Sequence, residues 1–561
     1  MKRDLSLLAH TQFDVIIVGG GITGACLAHD ASLRGLRVAL LEKADFGMST
    51  SAASSKLLHG GIRYLQQFQF GKVRESARER CIFQVIAPHL TQYIPFMVPT
   101  VQGSFMKGAS AMKGGMFLYN LICSGLNKMI SDSGKRVPKG KFYTKNEAVA
   151  LVPLLAGIEG MSGAHTLFES HMYSSERMTL AFMKTAVSNG AQIANHVKVI
   201  RFLKDNNSIV GVVGRDELNG KEFEIQGTLV ANAAGPFIPQ LNQSMQNLQL
   251  NKNTTGYSKG IHIVTKQICK DFALAIGSTK KTEGLVTRGG RHFFVIPWRD
   301  RSLIGTTNVP YEGNLDDLSV TQKDVKDFLA DINALLPEIQ LHDEDLYYAF
   351  TGLYPLVSEE IKTDTYQGTG TYQIVDHCQV DGVEGVISVL GAKYTTGRIV
   401  AEKAIDIVLK KLGKQQEICQ TAVTRLLEGR VDDLHGFIAA KKQQYDGIVA
   451  AGSVEYLVNV HGSEIDTVIK YLLREESFLN KLTVDRETLV GEIYYAMDEE
   501  MAFTLSDVVF ARTGLGTIGP PGADILLRVA QIMAERLDWS TEKMEAEIES
   551  VEAQYSYLVN V

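Results

Sequence analysis

Gly19, Gly21 and Gly24 fit the pattern G-x-G-x-x-G, and Glu42 follows 18 residues after the last glycine. That set suits the phosphates and ribose of a dinucleotide. Gly19 allows a tight turn, Gly21 lets the backbone approach a pyrophosphate, and Gly24 lets a helix pack closely on the preceding strand. A carboxylate at Glu42 accepts hydrogen bonds from a ribose 2′-OH and repels a 2′-phosphate, which favours FAD or NAD over NADP. The elements that must position these residues are present in order. The apolar run Phe13 to Val18 reads as a buried parallel strand, Ala25 to Leu33 as a helix, and Arg37 to Leu41 as a second strand. The helix N-terminus directs amide donors and a partial positive charge at the phosphates.

The chain of 561 residues is too long for one core, which predicts two or three domains. A hydrophobic content of 45% and a charged content of 21% are those of a globular protein. The net charge of −6 argues against a nucleic-acid binder. The six cysteines form no C-x-x-C pair and no zinc ligand set, so free thiols in a reducing compartment are expected, with no metal. The sequence shows neither a signal peptide nor a membrane-spanning apolar window.

Beyond the second strand, Phe46 to Leu65 is rich in Ser, Thr and Gly and then carries His59, Arg63 and Tyr64. Such a loop either wraps a pyrophosphate and ribityl chain or is ordinary solvated loop. Phe70 to Leu90 reads as a helix with a solvated charged face that includes Glu79 and Arg80. Pro95 to Lys128 interleaves Met and Phe with Lys, which suits either a segment lying in a membrane interface or the cover of the protein's own sheet. The run Thr228 to Gly235 ends an apolar strand in small residues that let the backbone come close to a cofactor. Residues 413–561 turn to amphipathic helical patterns without a chemical motif.

The block Ser51-Ala-Ala-Ser-Ser-Lys-Leu-Leu-His-Gly-Gly-Ile-Arg-Tyr-Leu65 resembles the FAD-dependent glycerol-3-phosphate dehydrogenases, within the glycine/D-amino-acid oxidase-like flavoproteins. Similarity extends over most of residues 10–415 and more loosely beyond. The resemblance implies that Ser54, Ser55, Lys56, Gly235, Gly391 and Thr395 contact FAD, with His59 near the isoalloxazine ring. It implies that Arg63, Tyr64, Lys259, Arg291 and Lys393 lie on the substrate side and that His262, in Lys-Gly-x-His, is the base. Histidine suits that role because its ordinary pKa is near neutrality and alcohol oxidation must remove the hydroxyl proton. Three positions depart from the family. Tyr354 and Gly370 stand where substrate-phosphate arginines are usual, and Ala392 replaces a glycine. Losing one side of a buried charge pair costs roughly 2–5 kcal/mol, so the first two departures count against an efficient phosphate site.

The expected architecture is α/β: a Rossmann-like FAD-binding domain, a mixed-sheet substrate domain and an α-helical C-terminal domain. The FAD parts are expected at about 10–95, 160–235 and 350–412, the substrate parts at about 96–159 and 236–349, and the helical domain at 413–561. The expected activity is oxidation of sn-glycerol 3-phosphate to dihydroxyacetone phosphate, with electrons passed to a membrane quinone. Two alternatives stay open: a paralogous FAD enzyme acting on another polyol, polyol phosphate or hydroxy acid, and a flavin-binding protein without turnover. The resemblance further implies a cytoplasmic protein, peripheral on the inner face of the cell membrane, and is compatible with a homodimer.

Overall fold

The computed structural model describes residues 1–102, 108–243, 256–277, 292–356, 371–391, 393–415, 417–484 and 486–558. The strand Gln12–Val18 lies in the middle of the first sheet, buried from Phe13 onward. It pairs in parallel with Val38–Leu41 on one side and Glu222–Asn232 on the other, Val15 opposite Val38 and Leu229. Val386–Leu390 continues the parallel set, and Gln373–Asp376 closes that edge antiparallel. A central parallel strand has no solvated face, which is why it reads as an unbroken apolar run. The helix Ile22–Leu33 covers one face together with Ser175–Ser188 and Gly397–Lys411, packing through Ala25, Ala28 and Ala31.

Among the described residues the second sheet has ten strands. Its axis for the present purpose is Gly256–Thr265, flanked by Arg301–Gly305 and Leu346–Leu356. Ile261 and Ile263 pack on Val325, Phe328 and Ile332 of the helix Gln322–Leu335, so the alternate residues Ser258, Gly260 and His262 face the other way. This sheet crosses the expected domain borders. Met161–Met172 pairs antiparallel with Thr91–Val101 from Met161↔Val101 to Met172↔Thr91, and Leu346–Leu356 pairs with Gly256–Thr265. Residues 161–172 and 346–356 therefore extend the substrate sheet, because a strand belongs to the ladder that satisfies its amides. Phe96 and Met97 are core residues of that sheet, so the first part of the expected interfacial segment is interior.

The helix Phe70–Ile86 is not simply solvated on its charged face. Glu79 is buried against Arg398 at 2.6 Å, and Arg80 is buried against Glu169 at 3.1 Å. The helical C-terminal domain, from Leu434–Gln444 to Thr541–Glu552, is locked on by a second buried set. Arg177 and Lys184 of the helix Ser175–Ser188 meet Glu428 and Glu500, with Arg177–Glu500 at 2.6 Å and Lys184–Glu500 at 3.1 Å. Removing one partner of such a cluster strands a buried charge. Arg177→Met should cost about 3–5 kcal/mol and lower the urea midpoint, and Arg177→Met/Glu500→Gln should recover part of the loss. An unchanged midpoint for the single variant would contradict the cluster's role.

Candidate active site

A cavity of about 520 Å³ opens at the carboxyl ends of the parallel strands, the place where open α/β sheets bind ligands. One end is lined by Gly19, Gly21, Glu42, Lys43, Arg215 and Gly235, the other by Ser54, Tyr354, Gly391 and Lys393. Gly19 has φ +102, which a side chain would strain. Gly24 does not line the cavity but makes the turn possible: a Cβ there would fall 1.9 Å from the Gly19 carbonyl oxygen. The Glu42 carboxylate ends the second strand and accepts from Gly20 N at 2.6 Å and Ala44 N at 2.9 Å. Ser51 Oγ accepts from Ile22 N at 2.9 Å, fixing the serine loop to the helix start. The set fits a dinucleotide: a glycine cradle, a helix N-terminus and a ribose-side carboxylate along one elongated cavity.

At the other end, Lys393 donates to Ser76 Oγ at 3.0 Å and lies 4.6 Å from the centre of the Tyr64 ring. Arg63 stacks on the same ring at 5.0 Å and donates to the Tyr64 hydroxyl at 3.0 Å. Burial and then the Arg63 guanidinium bring the Lys393 pKa down to about 8. His59 sits beside this group, its Nδ1 2.9 Å from the buried Glu169. Thr395 is interior rather than cavity-lining; its Oγ1 accepts from His59 N at 3.1 Å and so pins the His-Gly-Gly turn.

Three further expected site residues, besides Gly24 and Thr395, lie off the cavity. Lys56 is 1% exposed and donates to Glu176 at 2.6 Å and to Ser175 Oγ and the Ala52 carbonyl, so it holds the serine loop from behind and does not reach the cavity. Lys259 leaves the opposite face of its strand from His262 and pairs with Asp324 at 2.7 Å, beyond the substrate side. His262 is itself buried, stacked on Phe350 at 5.2 Å, with Nε2 2.8 Å from Ser55 Oγ. Ser55 thus stands next to the imidazole, which does not line the cavity. Burial and then the Lys56 ammonium push the His262 pKa down to about 3. Gly305 must lack a side chain to admit this ring, since a Cβ would lie 2.0 Å from His262 Cδ2. Arg291, Gly370 and Ala392 lie outside the described residues.

Two residues that hold the site carried no motif. Glu169 anchors both His59 and Arg80, and Thr23 lies against Gly391, where a Cβ would meet its Oγ1 at 2.4 Å. Thr23 was readable as an x position of the glycine turn; Glu169 offered only an acid in an alternating strand. The close approach at Gly24 gives a direct test. Gly24→Ala should weaken cofactor binding at least about tenfold, the equivalent of about 1.4 kcal/mol, read as a fall in the ratio of flavin to protein absorbance after purification. Full cofactor content in the variant would contradict the role given to Gly24.

The FAD dependent oxidoreductase family profile matches residues 14–402, and the profile of the C-terminal domain of alpha-glycerophosphate oxidase matches residues 419–544. Over 558 residues the chain is 28% identical to a glycerol-3-phosphate dehydrogenase of Synechocystis sp., covering 98% of this chain and 97% of that protein. It is 31% identical over 558 residues to an aerobic glycerol-3-phosphate dehydrogenase of Staphylococcus aureus, covering 97% and 94%. Its backbone superposes with a TM-score of 0.77 on the glycerol-3-phosphate dehydrogenase of Bacillus halodurans complexed with FAD, at 25% identity and covering 99% and 97% of the two chains. The two family matches together span most of the chain, the relatives match it over nearly their whole length, and the chain belongs to the FAD-dependent oxidoreductase family and, within it, to the glycerol-3-phosphate dehydrogenases.

Proposed function

We propose that the protein oxidises sn-glycerol 3-phosphate to dihydroxyacetone phosphate, using FAD held in the cleft and passing the electrons to a quinone. The observation that carries this reading is that Lys393, which lines the dinucleotide cavity, is backed by Tyr64 and Arg63, neither of which itself lines it. The names of the relatives support it. Gly19, Gly21, Glu42, Ser54 and Gly235 would hold FAD. Bound there, FAD supplies the acceptor for the hydride leaving the substrate's C2. Arg63 and Lys393 hold and orient the phosphate by charge-assisted hydrogen bonds, with the Tyr64 ring fixing both cations. The C2 hydroxyl proton passes to the Ser55–His262 pair, Ser55 Oγ relaying it to Nε2 over 2.8 Å.

The pKa values give this reading a sign. With its pKa near 3, His262 stays neutral across the working range, a weaker base than the ordinary imidazole expected from the sequence, and should add no ionisation of its own to kcat between about pH 5 and 7.5. Lys393 is surrounded by Arg63, Tyr64, Lys72, Glu75 and Ser76. Its charged form is lost as pH rises through about 8, so KM for glycerol 3-phosphate should rise above that pH. His262→Asn should lower kcat by about 10²–10⁴-fold with FAD content unchanged. The reading itself is tested by incubating the holoenzyme with sn-glycerol 3-phosphate and a quinone analogue and assaying dihydroxyacetone phosphate. Turnover of glycerol or a small hydroxy acid instead would favour the paralogue reading, for which the specific observation is Tyr354 lining the cavity where a guanidinium was expected.

A membrane quinone requires a membrane-facing surface, and one patch has the right character. Among the described residues no helix is long and apolar enough to cross a bilayer. The helix Ala109–Ile122 buries Met116 and Tyr119 but leaves Phe117 and Leu121 73% and 62% exposed. Phe68 and Phe70, on elements packed beside it, are 78% and 42% exposed. With Arg74 and Lys113 around them, these side chains suit shallow insertion into an anionic lipid surface. The wild type should float with vesicles of phosphatidylglycerol and phosphatidylethanolamine. Phe68→Ser/Phe117→Ser/Leu121→Ser should not, while its activity with a soluble dye is kept. Equal flotation of both would refute the patch.

A further inference from the structure

Among the described residues three cations surround the ring of Tyr64, and one of them, Lys393, lines the cavity. Arg63, Lys393 and Lys72 lie 5.0, 4.6 and 5.8 Å from the centre of the Tyr64 ring. Lys72 comes from a different element, the first turn of the helix Phe70–Ile86, and no sequence motif marks it. Its Nζ donates to Thr371 Oγ1 at 2.9 Å, and Lys393 donates to Ser76 Oγ at 3.0 Å. Among the described residues neither lysine enters an ion pair. This contrasts with Lys56, Lys184 and Lys259, each of which meets a carboxylate. Glu75, whose opposite charge also acts on Lys393, is approached by Lys403 at 3.7 Å. Lys393 feels both Arg63 and Lys72 as neighbouring like charges. Like charges gathered around hydroxyl acceptors repel one another, and an anion placed between them reverses the sign of that interaction.

We propose that Lys72 is a substrate-binding residue that, with Lys393 and Arg63 around Tyr64, forms a cradle for the dianionic phosphate monoester of a phosphorylated polyol. This rests on the function proposed above and names the group that compensates for Tyr354. A phenol offers one neutral donor, whereas an ammonium brings a full charge and three N–H donors. A dianion suits the cradle better than a carboxylate, because three cations converge on it and the start of the helix carrying Lys72 adds a partial positive charge. Three other lysines among the described residues are excluded by geometry. Lys259 is on the far face against Asp324, Lys56 is behind the serine loop against Glu176, and Lys43 is at the opposite end of the cavity against Asp316.

The test uses the FAD-loaded full chain in phosphate-free buffer. Lys72→Ala should raise KM for glycerol 3-phosphate about tenfold, the equivalent of about 1.4 kcal/mol, with kcat changed less than about threefold. Calorimetric affinity for inorganic phosphate should fall in parallel, and Lys72→Arg should restore most of both. Turnover of glycerol 3-phosphate with unchanged KM and unchanged phosphate affinity in Lys72→Ala would overturn the cradle and leave the proposed function standing. Phosphate binding that weakens in Lys72→Ala, in an enzyme that does not oxidise glycerol 3-phosphate, would keep the cradle and overturn the function. No phosphate binding to the wild type would overturn the cradle outright.

Discussion

The helix Ile22–Leu33 starts so close to the end of the strand Gln12–Val18 that a Cβ on Gly24 would collide with the Gly19 carbonyl. That approach fixes the rest of the cleft. It aims the free amides of the helix start at the cavity and sets the height at which Glu42 can take the amide of Gly20. It also lets Ser51 tie the serine loop to Ile22 N. The same helix packs against Gly397–Lys411, which begins just beyond Lys393, so the two ends of the cavity are positioned by one helix pair.

The ionisable residues divide into two groups. Buried carboxylates hold structural cations: Glu79 holds Arg398, Glu176 holds Lys56, and Glu428 and Glu500 hold Arg177 and Lys184, while the half-buried Asp324 holds Lys259. Each pair joins elements far apart in the chain. Such pairs add little net stability but are costly to break, which makes them registers of packing more than sources of free energy. Around Tyr64 the pattern reverses: Lys393, which lines the cavity, and Lys72 rest on hydroxyls. In the proposed function, substrate charge is met where the fold has not already paired the cation with a carboxylate.

The strand, glycine turn, helix and acid were legible because their signals are local: an apolar run, a fixed glycine spacing and a helical period. The α/β architecture and the helical C-terminal domain followed from the same periodicities. A motif, however, gives residue types without giving directions. Lys259 and His262 share one short motif, yet strand alternation sends them to opposite faces, and only His262 faces the serine loop. Lys56 sits inside the most specific block of the chain and still turns inward, because Glu176, 120 residues away, is there to meet it. Glu169 and Lys72 were not legible at all, since their roles depend on partners brought in by the second sheet and by the turn holding Tyr64. The domain borders were missed for a similar reason: strand pairing over long sequence separations decides sheet membership, and no local period reports it.

The central claim is that the cleft delivers a phosphorylated polyol's C2 hydrogen to bound FAD. The most direct measurement is anaerobic: mix the yellow holoenzyme with sn-glycerol 3-phosphate in a stopped-flow instrument and follow the oxidised flavin band, with glycerol in parallel. Rapid and complete bleaching by glycerol 3-phosphate, and none by glycerol at the same concentration, is the predicted result. An unbleached flavin in the presence of glycerol 3-phosphate, or equal bleaching by both alcohols, would contradict it.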